Sequence, residues 1–188
     1  MLPVRVVSSA VCGLIISGLC QAASAETIRL SGGPMKFDTV YGIMVNEGSS
    51  LKREALIVQD KRLPARITDF DVQISLYDNW QYEIDYSVEF DAPITAVEVR
   101  FIPFDIWGDK GTPLSSTTIQ DINQGMWLDD GAWRISESDA VHHYAMIGYV
   151  AQIKTADGRI IKANPDLVVS AAKDFSDDFS TGDLSVTE

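Results

Sequence analysis

The chain has 188 residues, 46% of them hydrophobic, and 27 acidic against 15 basic side chains give a formal net charge of −12. That length suits one domain with an appendage rather than two full domains, and the charge disfavours nucleic acid and anionic lipid surfaces as partners. Both cysteines, Cys12 and Cys20, fall in the first 25 residues, so residues 26–188 offer no disulfide, thiolate metal ligand or cysteine nucleophile.

Residues 1–25 read as a cleaved signal peptide. Arg5 supplies a short positive region, Val6 to Leu19 an apolar stretch interrupted by serine and glycine, and Ala23-Ser24-Ala25 the small-residue pattern for cleavage before Glu26. An uncleaved anchor needs roughly 20 predominantly apolar residues, and lipidation needs a small residue where this chain has Leu19 before Cys20 and Val11 before Cys12. The expected location is periplasmic or secreted, with no stable membrane anchor after cleavage.

Residues 26–66 read as an N-terminal extension with two short strands, near Val40–Val45 and Ala55–Gln59, and a turn cluster at Ser31-Gly32-Gly33-Pro34. Ser50 to Val58 also admits a helical turn with Ser50 as its cap. The pattern sharpens over residues 67–163. Tyr82, Ile84, Tyr86, Val88 and Phe90 alternate strictly with Glu83, Asp85, Ser87 and Glu89, which is the period of a half-buried strand. Ile67 to Tyr77 tends to alternate as well, and Asp78-Asn79 supplies the turn that makes the two a hairpin.

Further strands are expected at Ile94–Phe104, Ser115–Ile122, Ala132–Ile135, His142–Lys154 and Arg159–Lys162, with Asp157-Gly158 as a hairpin turn. Many short strands with turn signals between them predict an all-β, immunoglobulin-like antiparallel β-sandwich rather than a βαβ fold. Asn164 then reads as an N-cap before Pro165, and Leu167, Val168, Ala171, Ala172, Phe175 and Phe179 recur at helical spacing. These predict a C-terminal amphipathic helix over 164–179 laid on the sandwich. Residues 180–188 are small, polar or acidic and predict a disordered tail.

The run Phe101-Ile102-Pro103-Phe104-Asp105 resembles the Phe-x-Leu-Tyr-Asp element of FxLYD-type immunoglobulin-like bacterial envelope domains, with Pro103 and Phe104 at its leucine and tyrosine positions. The resemblance extends over residues 81–162, through a preceding strand, a glycine-containing loop at Gly108–Pro113 and the final Asp157-Gly158 hairpin. It implies a binding or scaffolding role and transfers no catalytic residue.

Candidate chemistry is sparse. On a strand, His142 and His143 would face opposite ways, so they could not share a metal ion without a bulge. His142 with Met146 is a conceivable copper pair, but a core methionine beside a hydrogen-bonded histidine is the simpler reading. The acid pairs Asp105/Asp109, Asp129/Asp130 and Asp177/Asp178 lack the regular calcium-loop spacing and read as solvated turns, with Asp129-Asp130-Gly131 an ordinary one. No cofactor or metal is expected. Trp80, Trp107, Trp127 and Trp133 all lie in or beside turns. They either plug the ends of the sandwich or anchor a partner. The expectation is an exported, non-catalytic binding or accessory protein of the bacterial envelope. It would recognise a protein partner through an open sheet edge or the tryptophan loops, with Trp107 and Trp127 as anchors. A carbohydrate- or calcium-dependent binding module is the second reading and a hydrolase the third.

Overall fold

In the computed structural model, residues 25–34, 52–76 and 78–185 are described, and within them the side chains of 25–34, 52, 53, 126 and 128 are not. The segment up to Ser24 read as an export signal, with both cysteines, and the strand expected at Val40–Val45 lie outside the described residues.

Two sheets face each other. The larger orders its strands β1 (Ala25–Pro34), β2 (Lys52–Asp60), β8 (His143–Thr155), β5 (Ile94–Asp105) and β6 (Leu114–Ile122), with β9 (Ile160–Lys162) also on β8. The smaller orders β3 (Ala65–Leu76), β4 (Trp80–Phe90) and β7 (Gly125–Arg134). The fold is thus an all-β sandwich. Among these strands β2 and β8 pair in parallel, Glu54 opposite Ala145 through Val58 opposite Tyr149, while the other ladders are antiparallel.

Strand β4 buries the five apolar residues its alternation predicts, Tyr82, Ile84, Tyr86, Val88 and Phe90. Its partner β3 changes parity part way. Ile67 and Phe70 both point inward because the register with β4 shifts between Ile67 and Asp69, and a bulge moves all later side chains to the opposite face. Val99 and Phe101 of β5 and Met146 and Val150 of β8 meet this inner face. Phe70 stacks on Phe101 with ring centroids 5.6 Å apart.

The larger sheet is apolar on its outer face too. Leu56, Ile102, Phe104, Ile147 and Tyr149 form a second core there with Val168, Ala171 and Ala172 of helix α2 (Pro165–Ala172) and with Phe179. The cap is as the sequence predicts: Asn164 accepts from the Asp166 N–H at 3.2 Å and Pro165 opens the helix. The helix stops at Ala172 rather than at Phe179. Asp174, Asp177 and Asp178 would otherwise crowd its negative C-terminal end. Phe175 and Phe179 nevertheless stay on the sheet, with ring centroids 5.3 and 5.7 Å from that of Phe104.

Four other expectations are corrected. Residues 180–184 are fastened, not frayed: Thr181–Leu184 forms a 3₁₀ turn, and Arg100 Nη1 donates to the Leu184 carbonyl at 3.0 Å. Ser31 to Pro34 belongs to β1, as an irregular stretch of its ladder with β2. Asp129-Asp130-Gly131 lies inside β7, opposite Tyr86, Asp85 and Ile84. Gly131 is needed there because a Cβ would come within 2.2 Å of the Trp133 ring. Finally, a short helix α1 (Glu137–His142) precedes β8, so His142 ends a helix and His143 starts the strand. Ser136 and Asp139 cap α1 reciprocally.

Asp60, at the end of β2, joins three parts of the chain. Only 7% exposed, it accepts from the Arg62 N–H at 3.0 Å, from Arg62 Nε at 2.9 Å and from the Asn164 N–H at 2.8 Å. Burial pushes its pKa up, but the hydrogen bonds from Arg62 and Asn164 outweigh that and hold it below the ordinary 3.8. Asp60→Ala leaves those donors without their acceptor and should cost about 1–3 kcal/mol in urea unfolding. A carboxylate with a depressed folded pKa stabilises fully above its unfolded value and loses that contribution as pH falls through the folded one. The gap between wild type and Asp60→Ala therefore narrows below pH 3.8, and a gap that widens on acidification would contradict the assignment.

Candidate functional site

Strand β5 ends in a pinned loop. Asp105 Oδ1 accepts from the Trp107 N–H at 2.8 Å and the Asp109 N–H at 2.9 Å. The Ile106 N–H donates to the His142 carbonyl and the Gly111 N–H to the Pro103 carbonyl, both at 2.9 Å. Gly108 makes the reversal possible with φ +89, and a Cβ there would stand 3.0 Å from the Phe175 carbonyl oxygen. These constraints hold the loop backbone and leave the indole of Trp107 outside, 73% exposed.

Beside this loop runs the segment that follows α2. Between them lies a cleft of about 590 Å³ with Trp107, Lys110, Phe175 and Asp183 in its lining. Lys110 Nζ reaches Asp183 Oδ1 at 2.6 Å, and Ser180 adds its N–H and hydroxyl to Asp183 Oδ2 at 2.8 and 2.7 Å. The lining also carries Asp109, Asp174, Asp177 and Asp178 against one further base, Lys173. It includes no histidine. Chemically the cleft presents carboxylates and an aromatic face, which suits binding a cation better than transferring an acyl or phosphoryl group.

The four tryptophans do not converge. Trp127, opposite Val88 on β7, packs against the inner core with its Nε1 buried and without a hydrogen-bond partner among the described residues. Trp133, opposite Tyr82, lies edge-on to Phe101 at 5.6 Å. Trp80 is half-buried at the start of β4. Trp107 follows the end of β5, whereas Trp127 sits by the end of β4 that leads into the start of β5. Strand β5 therefore runs between the two expected anchors, which lie toward its opposite ends.

The two histidines part company: His143 is buried with Nδ1 3.2 Å from the Tyr82 hydroxyl, whereas half-exposed His142 has Nδ1 3.4 Å from the Ser138 hydroxyl, and Met146 is in the inner core. Of the acid pairs, Asp105 holds its own loop, and the Asp129 carboxylate accepts hydroxyls from Tyr86 at 3.0 Å and Thr118 at 3.2 Å, linking the two sheets. Among the described residues no three His, Cys, Asp or Glu side chains are grouped to hold a metal ion, and no helix is long and apolar enough to cross a membrane. Sequence reasoning missed Lys110 and Asp183, whose pairing depends on the path of the C-terminal segment. The Ser180–Asp183 spacing of a capping box was the one local signal for it.

No family model, no curated protein and no solved structure matches this chain.

Hydrogen bonds from Lys110 first, and then from Ser180, lower the Asp183 pKa from 3.8 to about 2. The tie across the cleft is thus fully formed above pH 3.8 and is lost as pH falls through about 2. Carbon-detected NMR titration of the Asp183 carboxyl should show that low midpoint, and Lys110→Met should move it upward. An unchanged midpoint would place the lysine elsewhere in solution.

Proposed function

We propose that this chain is an exported, non-catalytic binding protein of a bacterial envelope, and that it recognises a protein partner through the loop bearing Trp107. One observation carries the reading: the largest side chain type is left mostly exposed on a backbone that is hydrogen-bonded into place. An exposed tryptophan is a large apolar area available for burial by a partner, and tryptophans are enriched among the residues that dominate binding energy. A rigid loop has little conformational entropy left to lose on association. The export reading rests on Arg5, the apolar stretch after it and Ala23-Ser24-Ala25. The FxLYD resemblance at Phe101–Asp105 supports a binding or scaffolding role and leads directly into this loop.

Strand addition at β6 is the second reading. Within this edge strand the six residues Ser115 to Gln120 carry no charge before Asp121, and Ile119 is 82% exposed. Natural edges are commonly protected by lysine, proline or a bulge, and such an open edge is a site for an added strand.

Photo-crosslinking separates the two. A benzoylphenylalanine at position 106 should trap one identifiable protein in native envelope extracts, and Trp107→Ala should abolish that product. A label at position 119 or 157 should trap nothing comparable. Trapping at 119 in place of 106 moves the contact to the β6 edge, and a product at 106 that survives Trp107→Ala refutes the role given to the indole.

A further inference from the structure

The lining of the cleft beside Trp107 is asymmetric in charge. Lys110 is engaged by Asp183 at 2.6 Å, which leaves Lys173 as the other base against the exposed carboxylates of Asp109, Asp177 and Asp178. A volume of about 590 Å³ falls within the range of roughly 300–1,000 Å³ usual for ligand sites. An anion entering it would meet repulsion. A neutral sugar would stack on the indole but would cover carboxylates without neutralising them, which costs free energy. A cation satisfies both features at once, because the face of an indole attracts positive charge and the carboxylates complete its pairing.

The planar guanidinium is the cation that best uses this arrangement. It stacks flat on tryptophan, donates two parallel hydrogen bonds to a carboxylate and is more weakly hydrated than an ammonium. We infer that the Trp107 cleft receives an arginine side chain from a basic segment of the partner protein, with Trp107 as the stacking face and Asp109, Asp177 and Asp178 as the acidic wall. This rests on the proposed recognition through Trp107 and gives that partner a chemistry. The loop is suited to it: the Asp105 hydrogen bonds fix the backbone on either side of the indole, and the Lys110–Asp183 tie fixes the opposite wall.

The test uses the purified full-length secreted chain and three fluorescent peptides in which glycine alternates with arginine, lysine or citrulline, titrated at 0.15 M salt. The arginine peptide should bind most tightly, the lysine peptide several-fold more weakly, and the neutral citrulline peptide should not bind measurably. Trp107→Ala should weaken arginine-peptide binding about tenfold or more, and the pair Asp177→Asn with Asp178→Asn should weaken it comparably. The control pair Asp71→Asn with Asp85→Asn removes the same charge from exposed positions facing each other on β3 and β4, and it should leave binding unchanged. All five positions are exposed, and thermal melting of each variant confirms that it is folded.

Equal loss with the control pair would mean general attraction to an acidic surface and would overturn the site. So would wild-type affinity in Trp107→Ala, preferential binding of spermidine, or binding of neutral oligosaccharides in place of the arginine peptide. If position 106 traps a protein whose crosslinking the arginine peptide does not compete, the arginine assignment fails while recognition through Trp107 stands. If position 106 traps nothing, the broader reading fails as well.

Discussion

The larger sheet has to be dry on both sides. At its centre β5 and β8 turn Val99, Phe101, Met146 and Val150 to one face and Ile102, Phe104, Ile147 and Tyr149 to the other. Burying each such side chain contributes about 1.5–3 kcal/mol, so a two-layer sandwich would leave too much apolar surface wet. The segment after β9 is therefore an obligatory third layer. Once α2, Phe175 and Phe179 have covered Phe104, the remaining chain must pass the loop after β5. The cleft beside Trp107 is a geometric result of that cover.

Much of this was legible where a local pattern and the tertiary demand agree. The apolar alternation of β4 survives because its inward face is fully buried, while the other face keeps Asp85 exposed and Glu83 and Glu89 partly so, with Ser87 alone buried there. The near-continuous burial of β8, from His143 to Val150 with the exception of Tyr144, is the pattern of a strand covered on both sides. The start of α2 could be read from Asn164 and Pro165, which act locally. Its end could not, because the same apolar spacing is met by a helix up to Ala172 and by turns that return Phe175 and Phe179 to the same sheet.

The misreadings came where a short-range signal was outweighed by a distant one. Asp129-Asp130-Gly131 looks like a turn, yet pairing with β4 and the Trp133 ring lying against Gly131 keep it extended. Helix α1 had a readable cap in Ser136 and Asp139, but the apolar stretch that follows drew His142 into the expected strand, where it in fact ends the helix. Proximity to a turn does not say which way a tryptophan points, so Trp107 and Trp127 were indistinguishable until the ladders placed one outside and the other against the core. The acidic composition has a related explanation. Asp60, Asp105, Asp129, Asp139, Asp157 and Asp183 all accept hydrogen bonds that fix turns, caps or sheet-to-sheet links. Much of what looks like surface charge is the means by which loops are held in a chain whose two cysteines lie at its very start.

The parallel pairing of β2 with β8 also orders events in time. Tyr144 donates to Glu54 across 90 residues of chain, so the strands made first have no place in the sheet until the strands made near the end arrive. Contacts of such long sequence separation slow folding, because the loop must close before any pairing rewards it. For a chain emerging from its N-terminus, β3, β4 and β7 can assemble among themselves while β1 and β2 wait with their edges bare. That interval is when aggregation competes with folding, and it would make a holding chaperone most useful between the appearance of β2 and the completion of β8.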